Sequence, residues 1–249
     1  MAIRFVYFDL GNVLLHFSLH RLCFQLAQLL NKPEAEVCES LFNDQRYRVY
    51  SCGETTTQEY YDEVCSTLSA KPNLDDFLNA MNDIFWTNDL IMPILKKLAK
   101  LNFPRGILSN TNDAHWSYVE SAFPEIWNAF DAHRVASHKV KTLKPFPEIY
   151  QAAFEEAKTE IPDLQPGEVL FIDDLEGNIE GAAKFGFQTI HYVDFDSFLE
   201  SYKQTNLPLP SRYKDADWKE KLQAWTIDNQ PQNEASSDAS ASEDDEEDE

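Results

Sequence analysis

Short apolar runs alternating with helix-like segments confine this chain to an open parallel sheet flanked by helices. The runs are Ile3–Phe8 (IRFVYF), Gly106–Leu108, Val169–Ile172 (VLFI) and Thr189–Val193 (TIHYV), with His133–Ala136 as a weaker fifth. Brief β-branched and aromatic runs closed by polar turns suit strands buried on both faces. Helical spacing fills Asp89–Leu101, Ala114–Phe123, Pro147–Lys158 and Asn178–Phe185, the last stopped by Gly186. Alternation of this kind gives βαβ units with right-handed crossovers, an α/β doubly wound parallel sheet.

The spacing is uneven at one place. Nearly 100 residues separate the first run from the second, and most of them, from about His16 to Trp86, have helical spacing. We expect an α/β core over 1–15 and 89–200, and a small helical cap over 16–88 beside the carboxyl edge of the sheet, where open α/β sheets bind ligands. Residues 201–227 are a C-terminal extension. Residues 228–249 lack the apolar side chains that could offset ordering and are expected to be disordered.

Charge narrows the partners. The chain of 249 residues carries a formal net charge of −22. Ten acidic and no basic residues lie beyond Trp225, which leaves 33 acidic against 21 basic residues in the body, a net of −12. Such a body has no field that attracts nucleic acid or an anionic membrane. An anionic substrate would need positive charge built into the site. The tail is read as a solubilising segment, with docking to a basic protein partner as the lesser alternative. No apolar run approaches the ~18 residues of a membrane span, and the run at the N-terminus is too short for a signal peptide. Cys23, Cys38, Cys52 and Cys65 lie 13 to 15 residues apart with no C-x-x-C pair. They are expected to be reduced thiols, mostly buried, in a cytoplasmic protein.

Polar residues collect at the ends of the runs. Asp9-Leu10-Gly11-Asn12 closes the first, Ser109-Asn110-Thr111-Asn112 the second, and Asp173-Asp174 the Val169 run, with Lys144 between. Taken singly, each residue is more often a helix cap, an Asx turn or a solvated lysine. Together they would bring three carboxylates, a hydroxyl and a lysine to one sheet edge. Carboxylates crowded there repel one another, and a divalent cation relieves the repulsion. All-oxygen ligation favours magnesium.

The pieces FDLGNVL, ILSNTN, KTLKPFPEIY and FIDDLEGNIEGAAKFG, in this order, resemble the haloacid dehalogenase (HAD)-like hydrolase superfamily. The resemblance spans residues 3 to about 200, with the helical insertion similar to that superfamily's cap. It implies Asp9 as the nucleophile that takes up a phosphoryl group, with Ser109 and Lys144 as its catalytic partners. It also implies Asp9, the Gly11 carbonyl, Asp173 and Asp174 as the magnesium site, and substrate contacts from Asn12, Ser109, Asn110 and Lys144. Asn178 is expected to help orient this edge. Arg46, Tyr47, Arg48 and Tyr50 of the cap are read first as interhelix contacts, and Trp86, Trp116 and Trp127 as core.

One departure matters. The superfamily's usual second aspartate, two residues after the nucleophile, is Gly11 here. Glycine transfers no proton, and general acid–base help is worth ~10²–10⁴-fold. A positive φ at Gly11 is one reason for a glycine there. The DLGN form resembles a branch that includes sugar-phosphate phosphatases. The expected activity is therefore magnesium-dependent hydrolysis of a small phosphorylated metabolite, with sugar phosphates the leading class. The rivals are a binding protein that has lost catalysis and, less favoured, a 2-haloacid dehalogenase, whose chemistry leaves Asp173-Asp174 without purpose.

Overall fold

The computed structural model describes residues 1–220 apart from Asn43, Asp131 and residues 215–217. The tail expected at 228–249 lies outside the described residues. Residues 1–210 pack as one unit, and residues 211–249 form a second, in which the Tyr213 and Trp218 rings meet edge to face.

In chain order the strands are β1 (Phe5–Phe8), β2 (Leu15–Phe17), β3 (Phe85–Thr87), β4 (Arg105–Ser109), β5 (Arg134–Ala136), β6 (Val169–Asp173) and β7 (Gln188–His191). The helices are α1 (Leu19–Leu30), α2 (Glu34–Phe42), α3 (Asp44–Ser51), α4 (Thr57–Thr67), α5 (Leu74–Asn82), α6 (Met92–Lys100), α7 (Asp113–Ala122), α8 (Pro124–Trp127), α9 (Ser137–Val140), α10 (Pro147–Glu160), α11 (Glu176–Phe185) and α12 (Phe195–Lys203). Five strands form a parallel sheet in the order β5-β4-β1-β6-β7. Every residue of β1, β4 and β6 is buried, as strands covered on both faces require. The reversal of strand order lies beside β1, so chain leaving β1, β4 and β6 meets at one crevice.

Between β2 and β3 the chain builds the expected helical insertion, α1 to α5. Side-chain caps set its helix starts. Ser18 caps α1, Asn73 caps α5, and Thr56 with Glu59 forms a reciprocal capping box on α4. The two short strands close the insertion at its base, pairing antiparallel from Leu15 with Thr87 to Phe17 with Phe85. The insertion has its own core, with Leu26, Val37, Tyr60, Val64 and Phe77 buried together.

Two expectations fail. Cys23 and Cys38 are joined by a disulfide across α1 and α2, with Cα atoms 5.4 Å apart. Packing of two successive helices brings together thiols that linear spacing keeps apart. Only Cys52 and Cys65 remain free, both buried, so the thiol-based argument for the cytoplasm loses half its support. Trp116 and Trp127 are buried against each other, but Trp86 is 49% exposed. It lies on the β2–β3 ribbon beside His16.

Candidate active site

The carboxyl edge of the sheet assembles the site from four chain segments. Asp9 follows β1, its N–H donating to the Ile172 carbonyl of the neighbouring strand. Ser109 ends β4 and Asp173 ends β6. Lys144 comes from the loop before α10, and its ammonium is fully buried. It donates to Asp9 Oδ1 at 2.9 Å, Asp173 Oδ2 at 2.6 Å and the Leu108 carbonyl at 3.0 Å. Three acceptors use all three of its protons.

Further hydrogen bonds hold the carboxylates. Asp9 Oδ1 accepts from the Leu10 N–H. Asp173 Oδ1 accepts from the Leu175 N–H and from Asn178 Nδ2, and the Asn178 backbone carbonyl accepts from the Tyr150 hydroxyl. Asn12 Nδ2 donates to Asp174 Oδ2 at 2.9 Å. The left-handed residue of this turn is Asn12, with φ 54°, and Gly11 has no positive φ. The Asn110 side chain clasps the Lys144 backbone, Oδ1 accepting its N–H at 2.7 Å and Nδ2 donating to its carbonyl at 2.9 Å. That amide therefore orients the lysine.

Asp9, Asp173 and Asp174 each offer a carboxylate oxygen, and the three oxygens lie within 4.8 Å of one another. Burial pushes the Asp9 carboxyl up to about 7, with Lys144 opposing the shift and Asp173 adding to it. Asp174 is raised mainly by burial. Burial alone would lower the Lys144 ammonium, but Asp9 and Asp173 outweigh it and hold the group above its ordinary range. Three carboxylates face one ammonium. The imbalance is two negative charges among oxygen donors, which fits a hard divalent cation.

A cavity of about 70 Å³ lies between this edge and the insertion. Leu10, Gly11, Ser109 and Thr111 line it from the core, and Phe17, Leu19, Tyr47, Ile84 and Phe85 from the other side, with His115 of α7 in the wall. Phe17, Leu19, Ile84, Phe85 and His115 carry no signal in the sequence, and two of them matter most. His115 is 5% exposed, its Nδ1 lying 2.9 Å from Asn82 Oδ1. Phe17 lies against Gly11, where a Cβ would stand 2.9 Å from its ring. The cap residues mostly serve the fold. Arg46 binds Ser40, Glu63 and Thr67, Tyr50 meets Thr57, and Arg48 stacks over Phe146.

Residues 3–186 match the family model for haloacid dehalogenase-like hydrolases. The chain belongs to that family. Among solved HAD structures, one from Bacteroides thetaiotaomicron, in complex with magnesium and inorganic phosphate, is 26% identical and superposes with a TM-score of 0.66, over 76% of this chain and 94% of its own. A HAD-like hydrolase from Porphyromonas gingivalis shares the fold at 23% identity and TM-score 0.64, over 77% and 91% of the two chains. The L-2-haloacid dehalogenase of Xanthobacter autotrophicus shares it at 19% identity and TM-score 0.54, over 84% and 85%. A HAD core with an inserted helical cap is thus the fold of this chain, and no described helix is long and apolar enough to cross a membrane.

Proposed function

We propose that the protein is a magnesium-dependent phosphatase that hydrolyses a small phosphate monoester through an aspartyl-phosphate on Asp9. The observation that carries this reading is the buried Asp9–Lys144–Asp173 cluster with Asp174 beside it, three carboxylates against one cation. Support also comes from the Bacteroides relative, whose structure holds magnesium and inorganic phosphate. Asp9, the Gly11 carbonyl, Asp173 and Asp174 would hold the metal, which supplies positive charge beside the transferring phosphoryl oxygens.

The chain's own residues do the rest. The Asp9 carboxylate attacks phosphorus, and a phosphorus–oxygen bond forms there as the bond to the leaving oxygen breaks. Lys144 fixes the position of Asp9 and adds charge where the phosphoryl oxygens gather. Ser109, buried at the end of β4, donates its hydroxyl to those oxygens. Water then attacks phosphorus, the bond to Asp9 breaks, and inorganic phosphate leaves. Sugar phosphates are the class that the DLGN motif implies, whereas the cavity beside Gly11 favours a less basic leaving group.

Release of inorganic phosphate from a panel of phosphorylated metabolites, with magnesium and with chelator, tests the reading. Magnesium-dependent release is expected. Equal release in chelator, or none from any phosphate, would overturn it.

A further inference from the structure

The cavity lined by Leu10, Gly11 and Ser109 bears on what the phosphate is attached to. Gly11 occupies the place of the proton donor, and Phe17 closes the space beside it, 2.9 Å from where a Cβ would stand. A carboxylate is therefore both absent and sterically excluded. Two other titratable side chains line the cavity, and neither replaces it. Asn82 Oδ1 can only accept, so His115 carries its proton on Nδ1 and presents no N–H from Nε2. Burial also pushes this imidazole down to about 4, leaving it neutral near pH 7. The Tyr47 hydroxyl, held above the ordinary phenol range by burial, is engaged by the Ser51 and Asn112 side chains.

A leaving oxygen in this site departs with its electron pair and no proton from the protein. An alkoxide is about as basic as hydroxide, whose parent water has a pKa of ~15.7. Carboxylates (~4) and phenolates (~10) leave far more readily unprotonated. Phosphoanhydrides also have good leaving groups, but they bring further negative charge, and no charged side chain lines the cavity to receive it. Ser109, Asn110 and Thr111 bring uncharged polar groups to it, and Phe17, Leu19, Ile84 and Phe85 give it an apolar side that suits an apolar body.

We propose, building on the phosphatase reading above, that the substrate carries its phosphate on a weakly basic oxygen with an apolar body, an acyl or aryl phosphate, and that Phe17 and Gly11 together select it. In the step, the Asp9 oxygen–phosphorus bond forms and the phosphorus–oxygen bond to the leaving group breaks. The carboxylate or phenolate keeps the electron pair and diffuses away. Hydrolysis of the aspartyl-phosphate then returns the electron pair to Asp9, and both protons of the attacking water leave with phosphate.

The test compares kcat/KM, with magnesium, for acetyl phosphate, a series of substituted phenyl phosphates, ethyl phosphate and glucose 6-phosphate. The wild type should show a steep fall in kcat/KM as the pKa of the phenol rises, and at least ~100-fold preference for acetyl and phenyl phosphate over the two alkyl esters. Gly11→Asp with Phe17→Ala makes room for the carboxylate and should narrow that preference by raising the alkyl esters. The phenol series gives its answer from wild type alone if the double variant does not fold. A flat dependence on phenol pKa, or glucose 6-phosphate turned over as well as acetyl phosphate, would overturn this inference and leave the phosphatase reading standing. No turnover of any phosphate would overturn both.

Discussion

Replacing Lys144 by methionine should expose how much of this site's order depends on one buried charge. The side chain is close to isosteric, so packing against Phe171 survives. The ammonium, however, sits 2.9 Å from Asp9 and 2.6 Å from Asp173, and its loss leaves two buried carboxylates without their counter-charge. Removing one partner of a buried ion pair is destabilising by about 3–5 kcal/mol. At roughly 2–4 °C per kcal/mol for a chain of this size, the melting temperature in chelator should fall by about 10 °C.

The sign with pH follows from Asp9. Its folded-state value, about 7, stands above the ordinary 3.8, so the stability this group contributes is present at acid pH and is lost as pH rises through about 7. Without Lys144 the carboxyl moves higher still. The variant's deficit should therefore be largest above pH 7 and shrink near pH 5, where Asp9 takes up a proton. Added magnesium should recover part of it, since a ligand that binds only the folded state stabilises by mass action. Urea titrations at two pH values, with and without magnesium, measure all of this. A variant as stable as wild type in chelator, or a deficit independent of pH, would refute the reasoning.

Other consequences are simpler to state. His115, with a folded value of about 4 against an ordinary 6.5, contributes stability that is present above pH 6.5 and lost as pH falls through 4. The difference in unfolding free energy between wild type and His115→Gln should shrink by about 2 kcal/mol on going from neutral pH to about pH 5, as read by urea denaturation. Gly11→Asp alone should lose about 1–3 kcal/mol by overpacking against Phe17, and phosphate release should fall rather than rise; assay and melting curve check both.

Much of this site could be read from the chain because its residues sit at strand ends. A buried parallel strand announces itself by an apolar run, and the residue after the run is placed at the crevice by topology alone, which is why Asp9, Ser109 and Asp173 could be named. Lys144 was within reach only through its motif, since its loop has no periodicity. The rest depended on contacts that no run or spacing encodes. Phe17 lies on a strand of three residues, too short for an alternation to register, so its ring against Gly11 was invisible. Gly11 itself was explained by steric closeness, where a positive φ had been the sequence-based alternative. Asn110 was expected to serve through its backbone, and no spacing shows that its side-chain amide clasps the Lys144 backbone. The Cys23–Cys38 bridge required knowing that α1 and α2 lie side by side.

The central claim is that Asp9 carries the phosphoryl group. Rapid acid quench during turnover with magnesium, followed by peptide mass analysis, measures it directly. The peptide containing Asp9 should gain the mass of one phosphoryl group in wild type, and neither the gain nor phosphate release should occur in Asp9→Asn. Turnover by Asp9→Asn, or a wild-type enzyme that releases phosphate while this peptide stays unmodified at every quench time, would contradict the account.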